Sequence, residues 1–180
     1  MIKNNYLTKT LLTLFTVAIF GSVNAQYCSS AAGSTADTKC DGVKLVGSSA
    51  TIDNNTSATG CAAYSDFSSS VAPADLSPGA VYTIDITVGT CGGTYSKTAN
   101  GWIDFNGDGD WTDAGEMLGT GTSYVTTSGT VVSYNFTVPC NAKAGNTKMR
   151  VIVVEGQATN PCLAYTWGET EDYTVSILSP

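Results

Sequence analysis

The chain has 180 residues, 42% of them apolar, with eight basic residues, fifteen acidic ones and no histidine, for a net charge of −7. A surface this acidic is a poor partner for nucleic acid. The absence of histidine removes the usual Ser-His and Cys-His nucleophile systems and histidine-containing zinc centres.

The first 25 residues carry Lys3 and Lys9, then the apolar run LLTLFTVAIFG at 11–21, then Val23-Asn24-Ala25 before Gln26. A basic end, a short apolar run and a small residue at the boundary form a secretory signal peptide over 1–25. The run falls short of the ~20 apolar residues of a spanning helix, which argues against a membrane anchor. Cys28 comes too late, and after the wrong residues, for lipid modification. The remaining about 155 residues predict one domain over 26–180. Without Lys3 and Lys9 that part has six basic residues against fifteen acidic ones, a net charge of −9.

In chain order, residues 29–70 are rich in Ser, Thr and Gly and predict a loop-heavy first third, with short strands near 43–46 and 51–53. Tyr82, Ile84, Ile86 and Val88 share one parity, with Thr83, Asp85 and Thr87 on the other. The alternation of Val132, Tyr134, Phe136 and Val138 against Ser133, Asn135 and Thr137 repeats it. Both predict strands with one buried and one wet face. MRVIVVE at 149–155 is apolar on both parities and predicts a central strand. Tyr173, Val175 and Ile177 mark the last strand. Breaker-rich turns at 77–79, 89–93, 106–110 and 143–146 separate these runs, and no stretch has helical periodicity over three turns. The expected fold is all-β, an antiparallel β-sandwich of jelly-roll or immunoglobulin-like type.

Six cysteines follow the leader: Cys28, Cys40, Cys61, Cys91, Cys140 and Cys162. An even count in an exported chain predicts disulfides. With no C-x-x-C spacing, structural zinc is a poor alternative. Local loop closure favours sequential pairing, 28 with 40, 61 with 91 and 140 with 162, each contributing ~2–4 kcal/mol.

The segment 102–116, WIDFNGDGDWTDAGE, holds five of the fifteen acidic residues. Asp104, Asn106 and Asp108 alternate and Gly109 follows, which is the D-x-[DN]-x-[DN]-G half of a calcium loop. The twelfth position is Gly115 and the acid comes one place late, at Glu116. The flanks are strand-like, so the pattern fits a calcium loop between strands rather than an EF-hand. Candidate ligands are Asp104, Asn106, Asp108, Asp110, Asp113 and Glu116, for a weak structural Ca2+. A solvated turn without an ion is the alternative. So many carboxylates in one loop are costly without a cation, which favours calcium.

A second acidic cluster, WGETEDYTV at 167–175, leads into the last strand. Alternation places Glu169 and Glu171 on one face and Asp172 on the other. They either complete the calcium site or cap and solubilise an edge. This GETEDYTV motif resembles the signature of the bacterial GEVED domain, with Thr170 in place of the usual valine. The block at 102–116, the Met149-Arg150-Val151 strand, the Tyr27-Cys28 start and the Pro161-Cys162 step are similar to the same family. The resemblance implies a β-sandwich of exported proteins of Gram-negative bacteria, often appended to peptidases, adhesins or repetitive surface proteins.

No catalytic constellation emerges. Glycoside hydrolysis needs two carboxylates facing across a cleft, whereas the carboxylates here sit in a turn, and no Gly-rich loop precedes a helix. Among aromatics, Trp102 is expected in the core, and Trp111 and Trp167 partly exposed as candidate ligand contacts. Tyr64, Tyr95, Tyr124 and Tyr165 lie in turn-rich segments. The leading expectation is therefore a non-catalytic extracellular interaction or adhesion module. A carbohydrate-binding module using Trp111 and Trp167, or a self-associating surface or fibre subunit, are the alternatives. The expected partner is an extracellular protein or glycan, with no membrane span. The chain stops at Pro180 without a sorting domain, so the medium, the cell surface and the periplasm are all open as destinations.

Overall fold

The alternating run around Ile84 sets the architecture. In the structure, a computed structural model that describes residues 26–120 and 124–180, it forms the long strand β6, Val81–Thr90. Ile84, Ile86 and Val88 are fully buried, while Thr83, Asp85 and Thr87 face the wetter side. Residues 1–25, expected as the export leader, lie outside the described residues.

Before β6 the chain forms β1 (Ala31–Ser34), β2 (Thr38–Val46), β3 (Thr51–Asn55), β4 (Tyr64–Asp66) and β5 (Ala74–Leu76). After it come β7 (Lys97–Ile103), β8 (Val131–Thr137), β9 (Gly145–Glu155) and β10 (Ala164–Ile177). The described residues contain no helix. One sheet is antiparallel throughout, in the order β3-β2-β6-β8. The other pairs β7, β9 and β10 antiparallel, and the free side of β10 is lined in turn by β1, β4 and β5, all parallel to it. The fold is thus a β-sandwich, antiparallel except along that one edge.

Between the sheets, Val43 and Leu45 of β2, the β6 row, Met149, Val151 and Val153 of β9, and Tyr173, Val175 and Ile177 of β10 form the main core. A smaller cluster lies on the opposite face of the six-stranded sheet: Trp102, Trp111, Ile152, Val154 and Tyr165, with Tyr27, Cys28 and Ala32 packed on it. This second cluster explains why β9 is apolar on both parities: each of its faces meets a core. Gly168, in the terminal motif, has φ +150, and a Cβ there would collide with the Val153 carbonyl oxygen across the β9–β10 pair. Only glycine lets β10 run past β9 at that point.

Two disulfides staple the fold, Cys28–Cys162 and Cys61–Cys91. The second is the expected local bridge. The expected pairs 28 with 40 and 140 with 162 do not form, because β1 runs parallel to the start of β10 with Ala31 opposite Ala164. That register brings Cys28 to Cys162 across 134 residues. Cys40 instead points into the core from β2, and Cys140 is exposed beyond β8; both are free thiols.

Candidate functional site

The acidic loop leaves the sheet at the end of β7 and returns beside it. Ile103 N–H donates to the Glu116 carbonyl at 3.0 Å and Leu118 N–H to the Gly101 carbonyl at 2.9 Å, closing its base. Two of its acids are buried and turned inward. Asp104 Oδ1 accepts from Gly107 N–H at 2.6 Å, and its Oδ2 accepts from Gly109 N–H at 3.0 Å and from the Tyr27 hydroxyl at 2.6 Å. Glu116 Oε1 accepts from Phe105 N–H at 3.1 Å and its Oε2 from Asp113 N–H at 3.4 Å. Gly107 and Gly109 take φ values of +68 and +90, which lets the backbone curl over Asp104.

The other acids form the exposed apex. Asp108, Asp110 and Asp113 each present one carboxylate oxygen, and these lie within 4.8 Å of one another. Asn106 Nδ2 donates to Asp108 at 2.9 Å and to Asp113 at 2.6 Å, tying the group together. The Asn106 contact also holds the Asp108 carboxyl below its usual range. The converse holds for Glu116, which burial and the nearby Asp104 push up to about 7. The six expected ligands are therefore divided: Asn106, Asp108, Asp110 and Asp113 gather at the apex, and Asp104 and Glu116 stand behind it, binding loop N–H groups. Hard carboxylate oxygens at this spacing suit a hard cation.

Trp111 differs from expectation. It is 3% exposed, not partly exposed, because its ring packs on Tyr27 with centroids 4.8 Å apart and lies under the Arg150 guanidinium at 5.3 Å. The Cys28–Cys162 bridge brings Tyr27 there. Of the two tryptophans expected as ligand contacts, Trp167 alone is accessible, at 41%. Trp102 lies in the second core cluster, Tyr165 is buried, and Tyr64, Tyr95 and Tyr124 are exposed.

The terminal acids neither cap an edge nor join the loop apex. Asp172 is fully buried and paired directly opposite Arg150, whose Nε and Nη2 reach its two oxygens at 2.7 and 2.8 Å. Lys148 Nζ at 3.1 Å and the Tyr64 hydroxyl at 3.0 Å complete its shell. Glu169 and Glu171 do share a face, but it is the one between the sheets. Glu169 accepts from Cys40 N–H and the Ser65 hydroxyl, and Glu171 from the Tyr173 hydroxyl at 2.8 Å. Burial, followed by the neighbouring Glu169, pushes Glu171 up to about 7, and burial raises Glu169 and the Cys40 thiol. Neither expected role, completing the calcium site or solubilising an edge, matches this placement, because tertiary partners hold all three acids inside the fold.

A cavity of about 760 Å³ opens beside Asp172, lined by the segment 26–31 with Tyr64, Lys148 and Arg150. Its one trace in the sequence is Arg150, a lone arginine in an apolar strand, which signals a buried partner.

Residues 98–176 match the family model of the GEVED domain, which covers both acidic segments. No curated protein matches the chain. Among solved structures, the CARDB domain of the PF1109 protein from Pyrococcus furiosus, in complex with di-metal ions, shares 17% identity and a TM-score of 0.38, over 60% of this chain and 87% of that one. A Niemann-Pick type C2 protein from the Japanese carpenter ant shares 7% identity and a TM-score of 0.43, over 81% of this chain and 96% of that one.

Proposed function

Taking residues 98–176 as a GEVED domain, we propose that the protein is an exported, non-catalytic binding module whose acidic loop holds a structural Ca2+. The observation that carries the calcium reading is the convergence of the Asp108, Asp110 and Asp113 oxygens within 4.8 Å at the loop apex. They supply hard oxygen donors, and the Asn106 amide nitrogen ties two of them together. Asp104 and Glu116, buried beneath, fix the backbone that presents them. A bound ion would neutralise the carboxylate repulsion at the apex and hold the loop closed.

Several features support the absence of catalysis. Cys40 is buried with its thiol well above the usual range, so it is no thiolate nucleophile. Glu169 and Glu171 are shut between the sheets, and Asp172 is locked in an ion pair. Disulfides fit an oxidising, extracellular setting. Among the described residues no helix is long and apolar enough to cross a membrane.

Isothermal titration of the chelator-treated protein with CaCl2 tests the reading. One site with a Kd in the ~10⁻⁴ to 10⁻³ M range of extracellular calcium modules is expected, abolished by Asp108→Asn together with Asp113→Asn. No heat at millimolar calcium would refute it.

A further inference from the structure

The cavity beside Asp172 has the makings of a ligand site that the acidic loop does not explain. Its volume falls in the ~300–1,000 Å³ range of small-molecule sites. Three charged side chains line it: Lys148, Arg150 and Asp172. Asp172 already accepts from both cations and from Tyr64, so it has no capacity left for a ligand. Arg150 is 3% exposed and its Nη1 donates to the carbonyls of Cys28 and Pro161, so it is equally occupied.

Lys148 is different. Its side chain is 24% exposed, and among the described residues its ammonium has one hydrogen-bond acceptor, Asp172. Its ammonium sits 5.4 Å from the centre of the Tyr27 ring, which holds it at the cavity wall. The lining thus carries two cations against one anion, in a chain whose net charge is −7. Beside it, Tyr64, whose hydroxyl binds the same Asp172 oxygen as Lys148, is 40% exposed, and Gln26 and Ser29 are exposed polar residues of the lining. A partly exposed ammonium, an exposed tyrosine and neutral polar groups in an open cleft suit a ligand with an anionic group, a flat apolar ring face and hydroxyls.

We propose that this cavity binds a carboxylate-bearing sugar of the uronic acid type, with its carboxylate on Lys148 and its ring against Tyr64. The proposal rests on the binding-module reading and names its ligand class. Trp111 is buried behind Tyr27 and Arg150 of the lining, and the Asp108–Asp113 apex contributes no residue to it. Asp66, outside the lining, feels the Lys148 charge and weakens the attraction.

Calorimetric titration with trigalacturonate at fixed calcium tests it, alongside the methyl-esterified trisaccharide, which keeps the rings and masks the charge. Trigalacturonate should bind and the ester should bind at least about tenfold more weakly, the worth of one charge-assisted hydrogen bond. Lys148→Met should cause a similar loss, and Lys148→Arg should restore binding. Asp172 keeps its Arg150 contacts in both variants, and a melting curve on each checks that the fold is intact. Equal binding of acid and ester, unchanged binding by Lys148→Met in a folded protein, or no binding at millimolar trigalacturonate would each overturn the proposal. So would tighter binding of trialanine, through its free carboxylate, than of the sugar. Calcium-dependent melting read on the same samples separates the two claims: if it persists without sugar binding, the cavity proposal alone fails.

Discussion

The loop at 104–116 and the strand segment at 169–172 are both acidic and both alternate, yet they treat charge in opposite ways. In the loop, three carboxylates converge at an exposed apex, where Asn106, the Thr112 hydroxyl and backbone N–H groups donate to them. In the strand every carboxylate is buried, and Asp172 meets a guanidinium across the β9–β10 register while Glu169 and Glu171 face the interior. Partners across the sheet make the strand acids part of the fold, whereas at the loop apex Lys143 reaches the Gly107 carbonyl and among the described residues no cation pairs with the acids, which leaves them available to an ion. The same residue types therefore carry stability in one place and binding capacity in the other.

Breaking the strand side should have the largest effect. Asp172→Ala leaves Arg150 buried without its anion and should destabilise by about 3–5 kcal/mol, read from urea unfolding. Replacing both partners, Asp172→Leu with Arg150→Met, should recover most of that loss. A loss of under about 1 kcal/mol for the single change would make the pair dispensable.

Next comes Glu171. Its folded pKa of about 7 lies above the ordinary value of 4.5, so the folded state holds its proton where the unfolded state has released it. Stability is full below about pH 4.5, falls as pH rises to about 7, and is then flat, a loss of about 3 kcal/mol. Glu171→Gln stays neutral. It should stabilise the protein by about 1–3 kcal/mol at pH 8 and change little at pH 4, although Glu116 and Glu169, also raised by burial, keep part of the slope. A variant that is less stable at pH 8 than at pH 4 by the wild-type margin would contradict this. The smallest effect belongs to the loop apex: without calcium, Asp108→Asn should leave the urea unfolding midpoint almost unchanged, because the side chain is exposed.

Much of the sandwich was legible because strand alternation is a local signal. Ile84, Ile86 and Val88 face inward as their parity requires, and the two-sided apolar run at 149–155 sits between β7 and β10. What was not legible depends on partners distant in sequence. Arg150 and Asp172 meet only through the β9–β10 register. Cys28 finds Cys162 only through the parallel β1–β10 pairing, and Tyr27, carried with it, covers Trp111. The loop's ligand pattern was readable from spacing, but its division into an exposed apex and a buried support was not. Asp104 and Glu116 are spaced like ligands, and only the curl of the backbone reveals that they bind N–H groups.

Thermal melting of the full protein in 10 mM CaCl2 and in excess chelator tests the central claim most directly. An ion that binds only the folded loop at a Kd of ~10⁻⁴ to 10⁻³ M should add about 1.4–2.7 kcal/mol, raising Tm by roughly 3–10 °C. Asp108→Asn with Asp113→Asn should abolish the difference while Glu171→Gln preserves it. Identical melting curves with calcium and with chelator would contradict the account.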